Sequence, residues 1–195
     1  LTNVQPSSAG NYDCVVTSAY DRIQSQAAVL TILNVSGLIG WWRGETNAAD
    51  SAGVHHGAPV GSLSYAAGMV GQAFSMNGGY IEVPDAPDLN FATNAPMTLE
   101  FWARRTGTRS IMHFLGKRVG CYTWGFNYLM AFDPEGGLAF IGDRGGAYTD
   151  VQMPLQEWMH LAGTFDGATF RFYTNGQLAA TGVGTLGLPL SASLL

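Results

Sequence analysis

The segment 157–181, EWMHLAGTFDGATFRFYTNGQLAAT, constrains the fold more than any other part of the chain. It holds three runs in which apolar and polar residues alternate, separated by Asp166-Gly167 and Asn175-Gly176. Both dipeptides accept the positive φ that a two-residue hairpin turn requires, so the segment reads as a three-stranded meander. A two-residue turn at Asp166-Gly167 sets Phe165 opposite Ala168, Gly163 opposite Phe170 and Leu161 opposite Phe172, all on one apolar face. The other face pairs Ala162 with Arg171 and His160 with Tyr173, with Trp158 at its end and Leu178 beside Tyr173. One dry face and one mixed face require a second sheet against the dry side, which predicts an antiparallel β-sandwich.

Composition agrees with an all-β chain. Among 195 residues there are 26 glycines, and charged residues make up only 12%, a profile of short strands and tight turns with no amphipathic helix. A net charge of -5 with nine Lys and Arg excludes the basic footprint that nucleic acid or an anionic membrane surface demands. No apolar run approaches the roughly 20 residues of a membrane-spanning helix.

In the first 34 residues, Gly10, Tyr12 and Cys14 stand in a G-x-Y-x-C pattern, followed by a strand to Thr17 and a second from about Gln26 to Leu33. This resembles the C-terminal strands of an immunoglobulin-like domain, in which a tyrosine corner sits two residues before a strand cysteine. The resemblance implies a partial immunoglobulin-like hairpin over 1–34 and an inter-sheet disulfide for Cys14, hence an oxidising compartment, although the partner cysteine of that family has no counterpart in the segment. Ser8 stands where the family often has an acidic residue, which removes one ion pair.

Beyond the short linker Asn34 to Gly37, Ile39 to Arg43 reads as a strand and Asp50 to Gly57 as a polar turn. Gln72–Met76 and Tyr80–Val83 read as a hairpin over Asn77-Gly78-Gly79, and Met97–Ala103 as a strand. Further strands are expected at Ile111–Arg118, Tyr122–Phe132 and Leu138–Gly142, with Gly142 to Asp150 a surface connection. The ordered blocks Trp41-Trp42 with Gly44-Glu45, Asp50-Ser51-Ala52-Gly53, Gly71-Gln72-Ala73-Phe74, Thr98-Leu99-Glu100-Phe101-Trp102, Trp158-Met159-His160-Leu161-Ala162 and Tyr173-Thr174-Asn175-Gly176 resemble the laminin-G-like, concanavalin A-like jelly-roll family. The resemblance covers about 145 residues and implies a jelly roll over 35–195. The family usually adds a further strand or two, so the domain is expected to be C-terminally truncated with an exposed edge.

The same fold serves glucanases, which set carboxylates at alternate positions of one strand to flank the glycosidic bond. No such triplet occurs: Glu82 with Asp85, and Asp133 with Glu135, are each interrupted by proline. H-E-x-x-H, G-x-S-x-G, a phosphate loop and zinc-spaced Cys/His clusters are also missing, so the chain is not expected to be an enzyme. His55-His56 reads as a surface pair in a turn, His160 as a structural hydrogen-bonding residue and His113 as a strand residue.

Two sets of binding residues are expected. The family resemblance raises calcium as a cofactor, with Asp50, Asp85, Asp88 and Asn90 as hard oxygen donors in loops; Asx-turn capping is the alternative reading of each. Sugar rings stack on exposed aromatics while amides and charged groups take the hydroxyls, which points to Trp124, Tyr122, Tyr128 and Tyr148 with Asn127, Asp143 and Arg144. Trp41, Trp42, Trp102 and Trp158 read as core. By this resemblance the chain is a non-catalytic binding or adhesion module of a secreted or cell-surface multidomain protein, with a polysaccharide or extracellular protein as partner. The competing readings are an inert accessory domain of a larger extracellular glycoside hydrolase and a structural spacer.

Overall fold

The computed structural model describes residues 10–30, 37–108, 111–118, 125–133, 137–189 and 194. The chain divides into two compact units, Leu1–Leu38 and Ile39–Leu195.

In the first unit, β1 (Gly10–Tyr12) pairs antiparallel with β4 (Ala28–Leu30), and β2 (Val15–Thr17) with β3 (Arg22–Gln24). The two ladders form one long hairpin, joined where Ser25 N donates to Cys14 O and Cys14 N donates to Ser25 Oγ. Ser18 closes the turn by accepting from Tyr20 N and Asp21 N. Cys14 is exposed and its thiol is free.

The second unit contains β5 (Ala58–Val60), β6 (Leu63–Ala67), β7 (Gln72–Met76), β8 (Tyr80–Glu82), a 3-10 turn (Pro87–Leu89) and β9 (Met97–Arg104). It continues with β10 (Met112–Arg118), β11 (Phe126–Asp133), β12 (Gly137–Gly142), β13 (Arg144–Thr149), β14 (Trp158–Phe165), β15 (Thr169–Thr174) and β16 (Gln177–Thr185). Eight of these strands make one antiparallel sheet in the order β10-β11-β12-β13-β16-β15-β14-β9. The sheet curls on itself, so its two halves bury their inner faces against each other. Phe140 of β12 meets Phe170 of β15 with ring centroids 5.2 Å apart, and Phe101 of β9 meets Phe114 of β10 at 5.4 Å. Met130, Phe132, Leu138, Leu161, Phe165 and Phe172 belong to the same core. The result is the expected antiparallel β-sandwich.

Glycine makes the fold line possible. Between β13 and β16 the ladder is short, Arg144↔Thr185 and Gly145↔Gly184. A Cβ on Gly184 would lie 1.9 Å from Arg144 O, and one on Gly182 1.9 Å from Gly146 O, so the two backbones approach at a distance no other residue allows.

Four local expectations change. The β14–β15 register is Phe165↔Phe170, Gly163↔Phe172 and Leu161↔Thr174, two residues from the two-residue-turn prediction. The cause is Asp166, whose Oδ1 accepts from Ala168 N and Thr169 N while its own N–H donates to Thr169 O, widening the loop to four residues. A slip of two keeps every side chain on its face, so Leu161, Phe165, Phe170 and Phe172 are still buried. The second turn is as expected: Asn175 and Gly176 have φ of 48° and 78°, and Tyr173 lies opposite Leu178.

Residues 39–43 form no strand; Trp42 makes an isolated bridge to Asp50, and the Trp41 N–H is taken by the Asp50 carboxylate instead of a ladder partner. β7 and β8 do not pair with each other: β6–β7 is a hairpin nested between β5 and β8, which pair as Ala58↔Glu82 through Val60↔Tyr80. Gly79 permits this crossing, since a Cβ there would lie 2.6 Å from Ser62 O. Residues 144–149 are a strand, with Ala147 in the core. Near the C-terminus, Leu194 is buried and exchanges both backbone hydrogen bonds with Val83, at 2.9 Å each.

Candidate functional site

The oxygen donors expected to hold calcium have protein partners close by. Asp50 Oδ1 accepts from Trp41 N and Ala52 N, both at 2.8 Å, and Oδ2 accepts from His55 N at 3.1 Å. Burial alone would raise the Asp50 pKa; the backbone N–H groups of Trp41, Ala52, His55 and Gly53 outweigh it and hold the carboxyl below its usual range. Asp88 Oδ2 lies 2.9 Å from His55 Nε2. Asp85 is paired with the Lys117 ammonium and accepts from Asn90 Nδ2, and the Lys117 hydrogen bond is the main reason its pKa is lowered. These partners are N–H donors and a cation, and among the described residues no group of three or more His, Cys, Asp or Glu could hold a metal ion. The Asx-turn reading accounts for Asp50. His55 is buried, while His56 is exposed and its Nδ1 accepts from Asp50 N, so only His56 of the expected surface pair lies at the surface.

The expected sugar-binding set separates. Tyr128 and Asn127 belong to the interior: the Tyr128 hydroxyl donates to Leu89 O at 3.1 Å, and burial pushes its pKa well up. Neither side chain meets a surface ligand: Asn127 and Tyr128 point to opposite faces of β11 and both are buried. Tyr148 is 61% exposed; Asp143 and Arg144 are exposed as well, but they lie at the opposite end of β13 from it. Tyr122 and Trp124 lie outside the described residues.

A second ring-bearing surface is the outer face of β9, β14, β15 and β16. The registers stack its residues in rows. Arg104 lies opposite Trp158, with its guanidinium 4.9 Å from the ring centroid. Trp102 lies opposite His160, edge to face at 5.2 Å. Glu100 lies opposite Ala162, which lies opposite Tyr173, which lies opposite Leu178. Trp102 is 45% exposed, and Trp41 is exposed as well, so neither is a core residue. The signal was available in the sequence: Trp102 shares the parity of Thr98 and Glu100, not that of Met97, Leu99 and Phe101. Glu100 is the one carboxylate carried by these four strands.

A family model described as the concanavalin A-like lectin/glucanases superfamily, of laminin G type, matches residues 75–194. No curated protein sequence matches the chain. Among solved structures, domain 4 of AbnA, a GH43 extracellular arabinanase from Geobacillus stearothermophilus, in complex with arabinotriose, is similar in fold. It is 22% identical, with a TM-score of 0.57 over 76% of each chain.

Proposed function

The chain belongs to the concanavalin A-like lectin/glucanases superfamily, and on that premise we propose that it is a non-catalytic carbohydrate-binding module of a secreted or surface-displayed multidomain protein. The observation that carries this reading is the outer face of β9, β14, β15 and β16, which presents aromatic rings beside hydrogen-bonding groups but a single strand-borne carboxylate, Glu100, the turn carboxylate of Asp166 being taken by Arg171. Glycoside hydrolysis by retention or inversion uses two carboxyl groups flanking the bond, whereas stacking and hydroxyl recognition need only rings and acceptors. The similar solved domain is one part of an extracellular glycoside hydrolase and carries arabinotriose, which supports a role as an accessory binding module attached to other domains. Binding of a polysaccharide panel, read by affinity electrophoresis beside a reducing-end release assay, tests it. Retention on at least one glycan without release of sugar is the expected result; hydrolysis, or no retention on any glycan by the folded protein, contradicts it.

A further inference from the structure

Ala162 is the smallest side chain on the outer face of β14, and it has larger neighbours on every side. Across the ladders stand Glu100 and Tyr173; along the strand stand His160 and Thr164. Trp102 completes the wall, its ring fixed edge to face against His160. A methyl group bordered in this way is the floor of a shallow trough. Glu100 and Tyr173 flank it from two strands apart, about 10 Å, which is the width of one sugar ring with its hydroxyls.

We infer that the trough over Ala162 is the subsite for one residue of an uncharged oligosaccharide, stacked between Tyr173 and the Trp102–His160 pair, with two adjacent hydroxyls donating to Glu100. This rests on the carbohydrate-binding reading and states where the sugar sits. The Glu100 side chain is 68% exposed, and its Oε2 is 3.9 Å from His160 Nε2, beyond hydrogen-bond range, so its oxygens can accept a pair of hydroxyls. The charges of the face select against an anionic ligand. Arg171 is engaged by Asp166 at 2.6 Å, and Glu100 is the charged group directly opposite Ala162, so a uronate entering the trough would meet a like charge first. An apolar protein side chain placed there would cover the Glu100 carboxylate without satisfying it, which is costly. A neutral polyol does neither.

The test is calorimetric titration of the chain with arabinotriose, xylotriose, cellotriose and trigalacturonate, for the unaltered protein and for Ala162→Leu, Trp102→Ala and Tyr148→Ala. Leu at 162 fills the trough from the solvent side, so its unfolding midpoint is expected to stay unchanged and any loss of binding reports the site. The expected result is saturable binding of a neutral trisaccharide, weakened about tenfold or more in Ala162→Leu and Trp102→Ala, with no binding of trigalacturonate. Neutral sugar binding that Ala162→Leu leaves intact, or that Tyr148→Ala alone abolishes, overturns the trough while the carbohydrate-binding reading stands. Preference for trigalacturonate overturns the uncharged class. Binding of none of the four sugars, together with no retention on the polysaccharide panel, overturns the reading itself and the trough with it.

Discussion

Asn127 and Phe91 exchange a reciprocal pair of hydrogen bonds: Phe91 N donates to Asn127 Oδ1 at 3.1 Å, and Asn127 Nδ2 donates to Phe91 O at 3.0 Å. The same Nδ2 donates to Gly187 O. A fully buried side-chain amide thus imitates a rung of β-ladder and ties two loops, 36 and 60 residues away in sequence, to β11. Replacing it with alanine strands three backbone groups at once, and Asn127→Ala is expected to cost about 2–4 kcal/mol in urea unfolding. A cost below about 1 kcal/mol would show that water satisfies those groups.

Gly163 sits under the Phe140 ring, where an added Cβ would come within 2.7 Å of ring carbons. Gly163→Ala is therefore expected to destabilise by about 1–3 kcal/mol through overpacking, although alanine is otherwise better suited to a strand. Pairing it with Phe140→Leu should recover part of the loss, measured as a double-mutant cycle.

Lys117 is fully buried and its ammonium is paired with Asp85. Removing the carboxylate leaves a buried charge without its counter-ion, while replacing the lysine with an apolar residue of similar length does not. Asp85→Ala is expected to lower the unfolding midpoint more than Lys117→Met, and the double variant to be more stable than Asp85→Ala alone. Equal effects of the two single substitutions would contradict this account.

Asp166 is held down at about 2, first by the Arg171 guanidinium and then by the N–H groups of Thr169 and Ala168. Its folded pKa lies below the unfolded value of about 3.9, so the stabilisation is fully present above that value and is lost as pH falls through about 2. In Arg171→Met the Asp166 carboxyl should titrate at a higher pH, approaching the ordinary range, as followed by carbon-13 shifts. The turn should then begin to loosen at a higher pH. An unchanged midpoint would assign the shift to the backbone donors alone.

Much of the sandwich was legible locally. The alternation in Trp158–Phe165 and in Met97–Arg104 identifies strands and their buried faces, and Asn175-Gly176 fixes a turn and its register. Where a side chain competes with the backbone, local reading fails: the Asp166 carboxylate enlarges its turn, and the Asp50 carboxylate takes the donor that would have made 39–43 a strand. The site was harder still. Tyr128 and Asn127 look like surface groups in a polar, ring-rich stretch, yet a tyrosine with one carbonyl acceptor and an amide with three backbone partners are stable in the interior. Trp102 looks like core by its size, and only strand parity places it outside.

Within Trp158–Phe165 and Met97–Arg104 the sequence by itself determined which residues share a face, because side chains alternate along a strand whatever strand lies beside it. It also determined the absence of a basic surface and of paired strand carboxylates. Tertiary structure alone decided which strands are neighbours: that β16 follows β13 in the sheet, that β8 joins β5 and not β7, and that Glu100, Ala162 and Tyr173 share one row. The physical reason is that pairing across about 20 to 60 residues is selected by the burial of a common core and by glycine's tolerance of close backbone contact. Neither is expressed within the few residues that set a local pattern.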